Sequence, residues 1–284
     1  MRVLLANVEE VFREAAARWT LVAYAALSSL FIGLFAIAVN LDVVDGALAG
    51  AKLFGREIRM GPKSVDLDKL VLGFESGFSG FLFVVATFLA VFATAHLVPR
   101  LQEKGTIDLY LSRPVGRVRL LLSRYTGGLL LAGLNVAYLI GTMGLLIRWK
   151  TGVVHPRFFL GGLIILFTIA VLMAFAFLVG VVTSSTAVSI MATFAVFFVA
   201  AVLTGHRHIE AALSAEWAAS LVRGLYWALP KTGELARITV DFVSYGELGR
   251  RTQEIDRLAV LGSTALFGLV SLSLSALLFR RKDF

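Results

Sequence analysis

Cysteine is absent from the 284 residues, and histidine occurs only four times. Without thiols there is no disulfide framework, no thiolate metal site and no cysteine nucleophile. Charge is scarce too: Asp, Glu, Lys and Arg make up 16% of the chain, against roughly 25% in ordinary soluble domains. A phosphate cradle of the form G-x-x-x-x-G-K-[ST] is also missing. In such a cradle backbone amides hold the phosphates and a lysine neutralises them. The nearest strings, GPKS at 61–64 and PKTG at 230–233, lack the glycine before the lysine. The chain therefore carries no nucleotide site of this kind.

What remains is apolar. Hydrophobic residues make up 58% of the sequence and the mean hydropathy is +0.84. A bilayer core of about 30 Å takes roughly 20 apolar residues as helix. Six segments qualify: 20–39, 78–97, 127–147, 158–182, 187–203 and 258–279, none with a central Asp, Glu, Lys or Arg. The expectation is an all-α polytopic membrane protein with six transmembrane helices, forming one membrane domain over 1–284. The net charge of +8 suits lipid headgroups. It does not indicate nucleic acid, because no soluble basic domain with interleaved aromatics is present.

The segments between the runs are unequal. Residues 1–19 place Leu4, Leu5, Val8, Val11, Phe12 and Ala15 at helical spacing, as in an interfacial amphipathic helix. With Glu9, Glu10 and Glu14 ahead of the first run, they do not read as a cleavable signal peptide. SAEWAASLVRGLYWALP, 214–230, puts Trp217, Leu221, Leu225 and Leu229 on one face. With Tyr226 and Trp227 nearby, it reads as an interfacial or re-entrant helix that Pro230 ends. Lys and Arg number 12 in the segments 1–19, 98–126, 183–186 and 280–284, and 15 in 40–77, 148–157 and 204–257. The first group is shorter and so denser in positive charge, which favours it weakly as the cytoplasmic side.

Residues 103–125, EKGTIDLYLSRPVGRVRLLLSRY, stand out between the second and third runs. Gly105 breaks a continuous helix, and Thr106 is suited to cap a short new one. Asp108 falls in its first turn, where the helix dipole favours an acid. Ser112 and Pro114 mark a second restart that leads into the third run. Arg113, Arg117 and Arg124 share a face. Taken alone, this is either a short surface helix between two corners or a solvated loop anchored by arginines to anionic headgroups.

The pattern Glu103, Gly105, Thr106, Ile107, Asp108, Leu111, Ser112, Pro114, Val115 and Arg117 resembles the cytoplasmic loop of type-2 ABC exporter permeases. The nearest branch is the permeases linked to multicopper-enzyme and nitrous oxide reductase maturation. The resemblance extends to the charged entry helix, the long first outer loop, the polar GVVTSSTAVS turn and the ending ALLFRRKDF. It implies that this loop is a cytoplasmic coupling helix seated in a separate ATPase subunit, which would bind the ATP and Mg. Glu103, Gly105, Thr106 and Asp108 would make the contact, and Arg113, Pro114 and Arg117 the corner into the third span. It also implies a second permease copy or paralogue, a partner outside the membrane, and a prokaryotic inner-membrane location with both ends of the chain cytoplasmic. No cofactor would be bound by this chain.

Other constellations point elsewhere. GFSG at 77–80 matches the G-x-S-G of intramembrane serine proteases, but such a serine needs a histidine within hydrogen-bond reach. EEVFR at 9–13 has the wrong spacing for another membrane protease motif. His206 and His208 lack a third metal ligand, so no metal site is expected. Asn135, Tyr138 and Thr142 share a face of the third run, suited to a translocation path or to interhelical hydrogen bonds. A non-ATP secondary carrier is the remaining alternative, but such carriers usually place charges or broken helices at mid-membrane.

Overall fold

A computed structural model describes residues 20–44, 47–53, 56–57, 67–103, 116–153, 155–213, 215–245 and 256–282. The expected interfacial helix at 1–19 lies outside them. The apolar runs form helices: α1 (Thr20–Ala38), α2 (Leu67–Thr94), α3 (Leu97–Leu101), α4 (Arg117–Thr151), α5 (Pro156–Thr183), α6 (Thr186–Leu203) and α10 (Arg257–Arg281). Between α6 and α10 lie α7 (His206–Ala212), α8 (Glu216–Ala228) and α9 (Thr232–Val243). Among the described residues, five stretches are long and apolar enough to cross a membrane: Val71–Leu101, Arg117–Thr151, Pro156–Thr183, Thr186–Leu203 and Arg257–Arg281.

Hydrocarbon offers no hydrogen-bond partners, so side-chain hydroxyls in these helices must be satisfied internally. Thr87, Thr94, Thr168 and Thr193 each donate to a carbonyl four residues earlier, at 2.6–3.0 Å. These bonds let the helices carry polar residues at little cost. The α5–α6 turn is built by its serines. Ser184 takes a left-handed conformation, φ 52°, and its N–H bonds the Gly180 carbonyl at 2.9 Å. Ser185 then caps α6 by accepting from the Val188 N–H.

α5 is the hub and packs against α2, α3, α4, α6, α9 and α10. Its apolar window is 61% buried, against 28% for α6 and for α10. Inter-helix contact in lipid relies on close fit rather than on expulsion of water. Gly268 of α10 supplies it: a Cβ there would lie 3.1 Å from Val171 Cγ2 and 3.3 Å from Val171 Cα. The main core joins Phe83, Met143, Phe158, Ile165, Ile169 and Leu235. A second cluster, at the α5–α6 turn, joins Leu97, Leu101, Leu121, Phe177, Val181 and Phe279.

The structure differs from the expected organisation in three places. The second span begins near Val71 rather than 78, which draws Glu75 into it. The third begins at Arg117 rather than 127 and so takes in Arg124, which is buried. The stretch between the first two apolar runs contains an antiparallel sheet, β1 (Val39–Val44), β2 (Ala47–Leu53) and β3 (Arg56–Glu57), in the order β1-β2-β3. Val39 pairs with Leu53 and Val44 with Ala47, with an irregularity between Asp42 and Val43. The expected outer helix is present as α8, ending before Pro230, and its Trp217, Leu221, Leu225 and Trp227 are exposed. The chain then turns back inward as α9, whose Leu235, Ile238, Thr239 and Val243 are buried against α2 and α5.

Candidate functional site

The segment singled out in the sequence runs between α3 and α4. Of its candidate residues, Gly105, Thr106, Asp108, Arg113 and Pro114 lie outside the described residues. Glu103 and Arg117 flank them. Glu103 is exposed, and its N–H bonds the Arg100 carbonyl at 3.2 Å. Arg117 begins α4 and is half-buried.

A polar network gathers where the segment enters and leaves. The last four carbonyls of a helix have no partner within it and carry the negative end of its dipole. At the end of α5 two of them, those of Gly180 and Val181, accept side chains from elsewhere in the bundle, Gly180 in addition to the Ser184 N–H. Gln102, just after α3, donates from Nε2 to the Gly180 carbonyl of α5 at 2.8 Å. Lys282, just after α10, donates to the Val181 carbonyl at 2.7 Å, to Gln102 Oε1 at 2.5 Å and to Ser184 Oγ at 2.8 Å. The Ser184 hydroxyl in turn donates to Gln102 Oε1 at 2.9 Å. Arg117 donates to the carbonyls of Lys282 at 2.7 Å and Arg280 at 3.3 Å. Both flanks of the segment, the α5–α6 turn and the end of α10 thus meet in one place. Gln102 and Lys282 were not singled out in the sequence, because their partners, backbone carbonyls and side chains alike, are distant along the chain.

On α4, Asn135 and Tyr138 face α1. The Ser28 hydroxyl donates to Asn135 Oδ1 at 3.0 Å, and Ser29 and Tyr138 share a hydroxyl–hydroxyl bond of 2.7 Å. The first rung is buried and the second exposed. Thr142 is half-buried one turn on. Near the other end of α4, Lys150 Nζ donates to the Ala36 carbonyl at 2.8 Å.

The opposite end of the bundle carries two further polar clusters. Glu75 is fully buried and accepts from the His155 N–H at 3.1 Å, with its second oxygen 2.8 Å from His155 Nδ1. This ties the turn before α5 to the start of α2. Arg157 stacks over the Tyr245 ring at 3.8 Å. Lys231, 2% exposed, lies between α8 and α9 with Nζ 4.3 Å and 4.7 Å from the Tyr226 and Trp227 ring centres. Tyr226 donates to Glu234 at 2.7 Å, and His206 stacks on its ring at 3.8 Å. Burial, and then the bond to Glu234, push the Tyr226 phenol well above its ordinary pKa.

Among the described residues the GFSG serine has no base partner. The Ser79 side chain is buried and its hydroxyl donates to the Ser76 carbonyl at 2.7 Å.

Comparison with known proteins gives one family. The model described as ABC-2 family transporter protein matches residues 11–284. Among curated proteins none matches.

Proposed function

The chain belongs to the ABC-2 family of transporter proteins, and on that premise we propose that it is the membrane-spanning permease of an ATP-driven exporter. Proteins of this family are membrane subunits without an ATPase site of their own, so membership implies a separate ATPase partner. The missing phosphate cradle fits that division of labour. The carrying observation is the family match over nearly the whole chain, joined to the Glu103–Arg117 pattern between α3 and α4.

In this reading α1 is the sixth span. It has 19 residues against 18 in α6, enough for about 28 Å of helix. The 103–116 segment faces the cytoplasm of a prokaryotic inner membrane and seats the ATPase. Glu103, Gly105, Thr106 and Asp108 make the contact, and Arg113, Pro114 and Arg117 form the corner. Two copies, or one copy and a paralogue, pair across the membrane. Closure of the ATPase dimer on ATP and Mg pushes the two segments together and switches the spans. The path runs beside Asn135, Tyr138 and Thr142 of α4, the first two of which meet α1. The exposed Ser29–Tyr138 hydroxyls support this, because polar groups at that depth need water or protein beside them. The resemblance of the loop pattern to the maturation-linked permeases supports extending this work to a partner outside the membrane.

The test is purification of the tagged chain from native membranes. The expected result is an ATPase that copurifies and is stimulated by the chain, with stimulation lost in Glu103→Arg and in Gly105→Trp. ATPase association and stimulation that survive both substitutions would remove the docking assignment. The protease alternative predicts instead that Ser79→Ala abolishes a proteolytic activity.

A further inference from the structure

We infer that Lys282 is a positioning residue that clamps the two flanks of the ATPase-docking segment, Gln102 and Arg117, to the end of the last span. Displacement of the segment then reaches α5 and α10 through its ammonium. This inference rests on the docking role proposed above, but the clamp itself stands on geometry. An ammonium has three protons, and here each has its own acceptor: Gln102 Oε1, the Val181 carbonyl and Ser184 Oγ. Those three belong to the entrance of the segment, the end of α5 and the α5–α6 turn. The backbone carbonyl of Lys282 accepts from Arg117, which stands at the segment's exit. One residue at the end of α10 therefore holds both flanks.

The chemistry favours a joint over an incidental contact. Holding a lysine side chain in one geometry costs rotamer entropy. Three charge-assisted bonds, one of them to a carbonyl in the last turn of α5, offset that cost. Gln102 is likewise saturated at its oxygen, which accepts from both Lys282 and Ser184, while its Nε2 holds the Gly180 carbonyl. Ser184 is presented by a left-handed turn, φ 52°, that is costly for a residue other than glycine. A shift of Gln102 cannot occur without either breaking this set or carrying Lys282 and α10 with it.

The chain lacks cysteine, so a single Glu103→Cys carries one nitroxide label beside Gln102. Its mobility is measured in lipid nanodiscs containing the full chain, with Lys282→Met, Gln102→Leu, both together, or Lys282→Arg. The expected result is a severalfold rise in mobility for each single loss. The double variant should be no more mobile than either single, and Lys282→Arg should stay close to the parent. Unchanged mobility, or effects that add in the double variant, would overturn the clamp. Should Lys282→Met not fold, Ser184→Ala is read by the same criterion and is expected to loosen the label in the same direction. In the unlabelled complex, Lys282→Met should cut stimulated ATP hydrolysis about tenfold while the ATPase stays bound. Full stimulation with a loosened label would overturn transmission and keep the clamp. If the unmodified chain binds no ATPase, the docking role fails instead.

Discussion

Lys231 shows what a single buried charge does to this molecule. Its ammonium faces the rings of Tyr226 and Trp227, and its amide N–H bonds Thr264 Oγ1 of α10 at 3.1 Å. Burial lowers its pKa from the ordinary lysine value, more than the Glu234 carboxylate raises it. A lowered lysine pKa means that the native state holds the proton less tightly than the unfolded chain does. Stability must then rise with pH from the lowered value up to the ordinary 10.5. Tyr226 opposes this only at the alkaline end, because its raised pKa gives stability that is lost as pH climbs beyond the ordinary tyrosine range. The thermal midpoint of the parent should therefore gain on that of Lys231→Met between neutral pH and pH about 10. A gap that is constant or widens against the parent would contradict this. Glu75 shows what the sequence conceals at this scale. It stood in the text as an acid just outside a span, in GFESGFSG. Only the fold reveals that His155, eighty positions away, meets it with both a backbone and a ring nitrogen.

At the scale of elements, legibility followed periodicity. The spans and α8 could be read because long apolar runs and a Trp/Leu face dominate their local physics. α9 could not, because KTGELARITVDFV looks polar. Its Leu235, Ile238, Thr239 and Val243 nevertheless recur at helical spacing, and that is the face it buries. The sheet also left a trace. Asp45-Gly46 lies between β1 and β2, and this pair is a strong hairpin signal when flanked by apolar residues. Two residues are a faint signal beside apolar runs of about 20. The contact between α5 and α10 gives a prediction with an internal control. Gly268→Leu drives a side chain into Val171, including its backbone, and should cost about 1–3 kcal/mol of stability. Gly262→Leu lies on the same helix with nothing within 4 Å of an added Cβ, and should change stability by less than about 0.5 kcal/mol. Comparable losses in detergent melts of the two variants would show that the α5–α10 fit does not depend on that glycine.

Across the whole molecule, polar chemistry concentrates at the two ends of an apolar bundle. At one end Glu75–His155 and the Lys231 cluster fix the turns beside the sheet and α8–α9. At the other, Gln102, Ser184, Lys282 and Arg117 fix the flanks of the 103–116 segment to α5 and α10. Between them the helices are joined mainly by close apolar packing, which transmits displacement with little compliance. A permease driven from one face needs that division: a firm grip where force enters and stiff elements to carry it across. In the proposed function, force enters at the 103–116 segment from the cytoplasm. A single Asp108→Cys in the otherwise cysteine-free chain tests it with a membrane-impermeant maleimide. Cytoplasmic docking there gives no labelling in intact cells, labelling in inside-out vesicles stripped of the ATPase, and protection when the ATPase is restored. Labelling in intact cells would contradict it.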